Sequence, residues 1–171
     1  MKIIFILATT QLDGSTFSCL TLLKELINRG HSIIAIIPDN NEVFISHLTK
    51  LGIGSYVVPI EFNQWPYGNR LSYRFHYGRF YIEYRYLKIL IHNIINKYRI
   101  FKQVCSIVKH EHPDIIHTNV SPIDVGYHVA KLYNIPHVWH IREYCDKDFD
   151  IHLFPNKHLY RKKLKYSYSV S

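Results

Sequence analysis

The 171-residue sequence predicts an α/β fold, a Rossmann-like three-layer sandwich with a mostly parallel sheet of about six strands. Three observations carry this. Short apolar runs rich in β-branched residues alternate with stretches whose apolar residues recur at helical spacing. Pro113 to Tyr144 reads strand, polar loop, helix, strand, polar loop, which is a βαβ unit. The polar loops that follow such strands share the C-terminal edge of the sheet, where open α/β sheets bind ligands.

In order, Lys2 to Leu7 is a buried parallel strand by composition, followed by a polar loop from Ala8 to Ser15 that holds Asp13 and Gly14. Thr16 to Arg29 places Phe17, Leu20, Leu23 and Ile27 on one helical face; Ser15 or Thr16 caps the helix and Gly30 ends it. Ile33 to Ile37 is the second strand. Asp39 and Asn40 suit a turn and cap for a helix over Glu42 to Leu51, which Gly52 ends, and Tyr56 to Pro59 reads as a third strand.

The middle, from Glu61 to Lys109, leaves this alternation. Phe62 to Gly68 contains Trp65-Pro66 and reads as irregular loop. From Arg70 to Lys102 there are eight basic residues against Glu83 alone, interleaved with tyrosine and phenylalanine. A long helix is expected from about Phe80 to His110, with Leu87, Leu90, Ile91, Ile94, Ile95 and Tyr98 as its apolar stripe. Two uses of that stripe stay open: packing on the core with a solvated basic face, or lying on an anionic lipid surface.

The central unit follows. Asp114 to His117 is a strand, Thr118 to Pro122 a loop, and Asp124 caps or begins a helix carrying Val125, Val129 and Leu132 with Ala130 and Tyr133. Asn134 and Pro136 stop that helix. His137 to Ile141 is the next strand, ending in His140, Arg142 and Glu143. Asp146 to Leu153 is polar and irregular, Lys157 to Lys165 is basic and helical, and Tyr166 to Ser171 begins a sixth strand.

The run DIIHTN, followed by a helix and IPHVWHIREY, resembles the N-terminal domain of family 4 glycosyltransferases, retaining nucleotide-sugar-dependent enzymes of the two-domain GT-B fold. The resemblance covers nearly the whole chain, including the opening strand-loop-helix-RGH-strand pattern. It implies that residues 1–171 form the acceptor-side half of such an enzyme, with a basic aromatic insertion and long helix at 61–110 and the donor-binding domain absent. The implied reaction moves a sugar from a nucleotide sugar to a glycan or lipid-linked acceptor in polysaccharide biosynthesis. The half should be inactive alone unless a second domain or partner chain holds the donor. The nucleotide sugar is then a co-substrate and no further cofactor is expected. Family members usually have a glycine-rich first loop, and here only Gly14 remains in it.

Within that frame the candidate catalytic residues are His117 and His140, which could bind sugar, orient a hydroxyl or transfer a proton. Candidate substrate contacts are Asp13, Gly14, Ser15, Asn119, Ser121, Arg142 and Glu143, with Arg142 suited to clamp phosphate. Each has a plainer use: His117 in hydrogen bonds at the sheet edge, Glu143 in a pair with Arg142. Arg79, Arg85 and Lys88 are the candidate membrane contacts. Alternatives are a non-catalytic membrane-docking subunit of a split transferase, and a dinucleotide-binding domain. The latter lacks G-x-G-x-x-G, although Asp39 could mimic its ribose ligand.

Composition bounds the rest. A net charge of +8 favours an anionic partner, and without an RNP-type motif nucleic acid is not expected. Three scattered cysteines, Cys19, Cys105 and Cys145, suit reduced thiols, and no HExxH or Cys-His cluster suggests a metal. With no window of roughly 20 apolar residues, the expected location is cytoplasmic, peripheral on the inner membrane face.

Overall fold

A computed structural model of the chain describes residues 1–12, 14–62, 79–141 and 157–170. Its elements are β1 (Lys2–Ile6), α1 (Gly14–Asn28), β2 (Ser32–Ile37), α2 (Glu42–Lys50), β3 (Gly54–Val57), α3 (Arg79–Glu111), β4 (Ile115–Thr118), α4 (Val125–Tyr133), β5 (His137–His140), α5 (Lys157–Leu164) and β6 (Tyr168–Val170). The six strands form one sheet in the order β3-β2-β1-β4-β5-β6, every neighbouring pair parallel.

Alternation along β1 feeds both faces at once. Ile4 and Ile6 join Val104, Val108, Val125 and Val129 beneath α3 and α4. Ile3, Phe5 and Leu7 join Cys19, Leu23, Phe44 and Leu48 beneath α1 and α2. These are the three expected layers. Turn chemistry holds where it was legible: Gly30 and Gly52 have φ of +82° and +73°, and Asn134 ends α4 in the left-handed region.

Several local expectations are corrected. The helix α1 starts at Gly14, so Ser15 and Thr16 lie inside it rather than capping it. Its buried line is Thr16, Cys19 and Leu23, while Phe17 is 56% exposed. The cap of α2 is Asn41, whose side chain accepts from the Phe44 amide. Asp39 instead accepts from the Thr10 hydroxyl at 2.6 Å, holding the loop after β1 against β2. The third strand is Gly54–Val57 rather than Tyr56 to Pro59. Asp124 stands at the N-cap position of α4 without a capping bond; it accepts from Lys163 Nζ on α5 at 2.5 Å.

The long helix is present but used unevenly. From Ile100 onward it is a core helix, with Ile100, Val104, Ile107 and Val108 buried. The stripe before that, Leu87, Ile91, Ile94, Ile95 and Tyr98, is exposed, and only Leu90 of the six is half-buried.

Candidate functional site

The strand order reverses between β1 and β4, and in such sheets the crevice at the C-terminal ends of those strands receives ligands. Here that crevice is bordered by the loops after β1 and after β4. The Asn119 amide donates to the Ile6 carbonyl at 3.0 Å and binds the two loops at their base. Two aromatic donors then fix the β4 loop by its own carbonyls. Trp139 Nε1 donates to Val120 O at 2.9 Å, and the Tyr160 hydroxyl donates to Ser121 O at 2.5 Å. Burial would raise the Asp124 carboxyl pKa, but contacts with His128 and Lys163 hold it below the ordinary range, so the loop ends in a fixed negative charge. A loop tied by three side chains presents its polar groups in one geometry.

His117 and His140 come together at this edge. The His117 ring is 7% exposed and stacks on Phe5, with centroids 4.2 Å apart. His140, half-buried, meets it edge-on at 5.9 Å. Both lie on the α1 side of the sheet. There α1 and α2 cover β1 to β3, and Val138 and His140 of β5 stay half-buried. Asn119 is 4% exposed, and its Oδ1 has no hydrogen-bond partner among the described residues. Ser121 is buried, so its hydroxyl does not face solvent. Gly14 opens α1 in free space, since a Cβ added there meets nothing within 4 Å. Asp13, Arg142 and Glu143 lie outside the described residues, as do the side chains of Ser15, Arg79 and Arg85; Lys88 is exposed on α3.

Sequence reasoning passed over the layer beneath. Thr118 Oγ1 and His137 Nε2 are 2.9 Å apart, and His137 Nδ1 lies 2.7 Å from Ser167 Oγ, so one buried imidazole joins the end of β4 to the start of β6. Gly126 lets α4 close over this pair: a Cβ there would overlap the Thr118 hydroxyl and come to 3.0 Å from His137 Nε2. A glycine inside a helical pattern was the available signal.

Burial pushes the His137 pKa down to about 4. An unfolded histidine titrates near 6.5, so between those values the unfolded chain binds a proton that the folded chain refuses. Stability should be full above about pH 6.5 and fall by about 3 kcal/mol as pH drops to about 4. Urea denaturation across pH 7.5 to 4.5 reads this limb. His137→Gln, which keeps hydrogen-bonding atoms without the titration, should flatten it; an unchanged limb in that variant would assign it to other groups.

A cavity of about 310 Å³ opens at the opposite edge of the sheet, lined by Tyr127, Lys131, Asn134, His137, Tyr166 and Tyr168 among others. It is separate from the crevice and holds none of the candidate site residues.

No protein-family description matches the chain, and no curated protein matches it. Solved structures do match in shape. The chain superposes on a glycosyltransferase from Rickettsia africae with a TM-score of 0.50 and 17% identity, over 81% of this chain and 29% of that one. For the calicheamicin glycosyltransferase CalG4 the TM-score is 0.51 at 16% identity, over 96% and 36%. For UGT89C1 of Arabidopsis thaliana, solved with UDP-L-rhamnose, it is 0.51 at 15%, over 81% and 35%. The fold is that of one GT-B glycosyltransferase half. The chain spans about a third of the length of these neighbours.

Proposed function

We propose that the chain is the acceptor-side half of a retaining, family 4-type glycosyltransferase that passes a sugar from a nucleotide sugar to a glycan or lipid-linked acceptor in polysaccharide assembly. The observation that carries this reading is the crevice between β1 and β4, where the buried Asn119 Oδ1 stands two residues beyond the His117–His140 pair. A buried acceptor without a donor is costly, and a sugar hydroxyl supplies one. His140, half-open on the same edge, orients the attacking hydroxyl, while Gly14 leaves room for ligand near the start of α1. Donor diphosphate is neutralised from across the cleft, by a second domain or a partner chain. The same reading assigns Arg142 and Glu143, from the sequence alone, to contact with the acceptor, and takes an anionic lipid surface, contacted through Arg79, Arg85 and Lys88, as the further partner. The dinucleotide alternative is disfavoured because Thr10 engages the carboxylate that would hold a ribose, Asp39.

Calorimetry with a short polyprenyl-diphosphate-linked sugar and a panel of nucleotide sugars tests the reading. The chain should bind the lipid-linked sugar, and Asn119→Ala should weaken that binding about tenfold, the worth of a hydrogen bond to a buried group. Only Oδ1 is unpartnered among the described residues, so a thermal melt of the variant accompanies the binding measurement and checks that it is folded. Nucleotide-sugar binding without acceptor binding would put the donor site in this half and overturn the assignment.

A further inference from the structure

The helix α3 runs antiparallel to the strands, and two contacts calibrate its height against the sheet. Its last residue, Glu111, pairs with Lys2 Nζ at 2.9 Å, at the start of β1. Near its middle, Asn96 donates to Glu61 beyond β3 at 3.4 Å, and the Lys97 ammonium feels Asp124 at the mouth of α4. Residues 96 and 97 therefore stand level with the ligand edge of the sheet. At 1.5 Å per residue, the preceding helix from Arg79 projects about 25 Å past that edge.

This projecting part carries an apolar stripe that no described element covers. Tyr84, Leu87, Ile91, Ile94, Ile95 and Tyr98 are each 46–67% exposed and fall on one face. Two tyrosines bracket four aliphatic side chains, the arrangement that suits a boundary between water and hydrocarbon. Lys88 and Arg99 border the stripe on one side and Lys97 on the other; burial pushes the Lys97 pKa down. No described helix is long and apolar enough to cross a membrane, so the stripe fits a helix lying on one.

A second copy of the chain fits less well. The stripe keeps a 3.5-residue repeat, yet pairing two such helices in parallel sets Lys97 against Lys102 across the seam. The basic flanks call for an anionic surface instead.

We propose that residues 79–98 form an interfacial arm that lies along an anionic bilayer and brings the ligand edge of the sheet to the lipid surface, where the acceptor is taken lipid-linked. The docking deepens the lipid contact proposed above and the last clause also rests on the acceptor proposed there; vesicles free of acceptor and donor read the docking alone, so the two fail separately.

Vesicle co-sedimentation of the full chain, with phosphatidylcholine alone or with 30% phosphatidylglycerol, tests the arm. Binding should be at least about tenfold tighter to the anionic vesicles and should weaken with salt. Ile91→Asp/Ile94→Asp, at two exposed positions, should abolish it without lowering the thermal midpoint. Lys88→Glu/Arg99→Glu should remove the preference for anionic lipid. Equal binding to both vesicles would overturn the proposal, as would retention in the aspartate variant. So would a micromolar dimer, seen by sedimentation equilibrium without lipid, that the same variant dissolves; that result would make the stripe an interface between copies.

Discussion

Trp139→Ala should lower the stability of the fold by about 4 kcal/mol, moving the thermal midpoint down by roughly 10 °C. The indole is fully buried between Tyr127, with ring centroids 6.3 Å apart, and Tyr160, edge-on at 5.1 Å. Truncation leaves a large void between α4, α5 and β5. The variant also removes the donor to Val120 O, so the β4 loop loses one of its fixed points. Trp139→Phe separates the two contributions. It keeps most of the volume and should cost about 1–2 kcal/mol, the expense of an orphaned carbonyl with a small cavity. Equal losses in the two variants, measured by urea titration, would mean that the hydrogen bond rather than the packing holds the loop.

Gly126→Ala should cost about 3 kcal/mol, although alanine is the better helix former by about 1 kcal/mol. The new methyl group overlaps the Thr118 hydroxyl, which is fully buried and held by His137. Either α4 moves off the sheet or the threonine rotates and abandons the imidazole. A double-mutant cycle distinguishes this clash from a loss of helix quality. Thr118→Ala removes the struck atom, so Thr118→Ala/Gly126→Ala should be less destabilised than the sum of the single variants by more than about 1 kcal/mol. Additive losses would sink the steric account.

The strands were legible because a parallel sheet buried on both faces demands uninterrupted apolar runs, and Ile3 to Leu7, Ile33 to Ile37 and Ile115-Ile116 meet that demand without ambiguity. The faces of the helices were harder to read. Helical spacing of apolar residues groups Phe17 with Leu20, Leu23 and Ile27, but the line that reaches β1 is Thr16, Cys19 and Leu23, two of whose members are small. Periodicity also fixes that α3 has an apolar stripe without fixing what covers it, so the same pattern serves as core after Ile100 and as surface before it. The position of His117, His140 and Asn119 at the ligand edge was legible because they lie at or just past the C-terminal ends of β4 and β5. His137 and Gly126 were passed over because the bond between Thr118 and His137 joins residues 19 apart in sequence. Such a contact exists only after β4 and β5 have paired.

The unequal anchoring of α3 also divides one continuous helix between two cooperative units. After Ile100 its turns open only when the sheet they cover comes apart, so their amides share the stability of the whole domain. Before Lys97, among the described residues, the backbone is held by little beyond its own hydrogen bonds, so its amides should exchange by local opening at a lower free energy than those of the domain. Turns of the arm can then open while the domain stays folded, and a bound surface would supply the anchoring that no described element gives them.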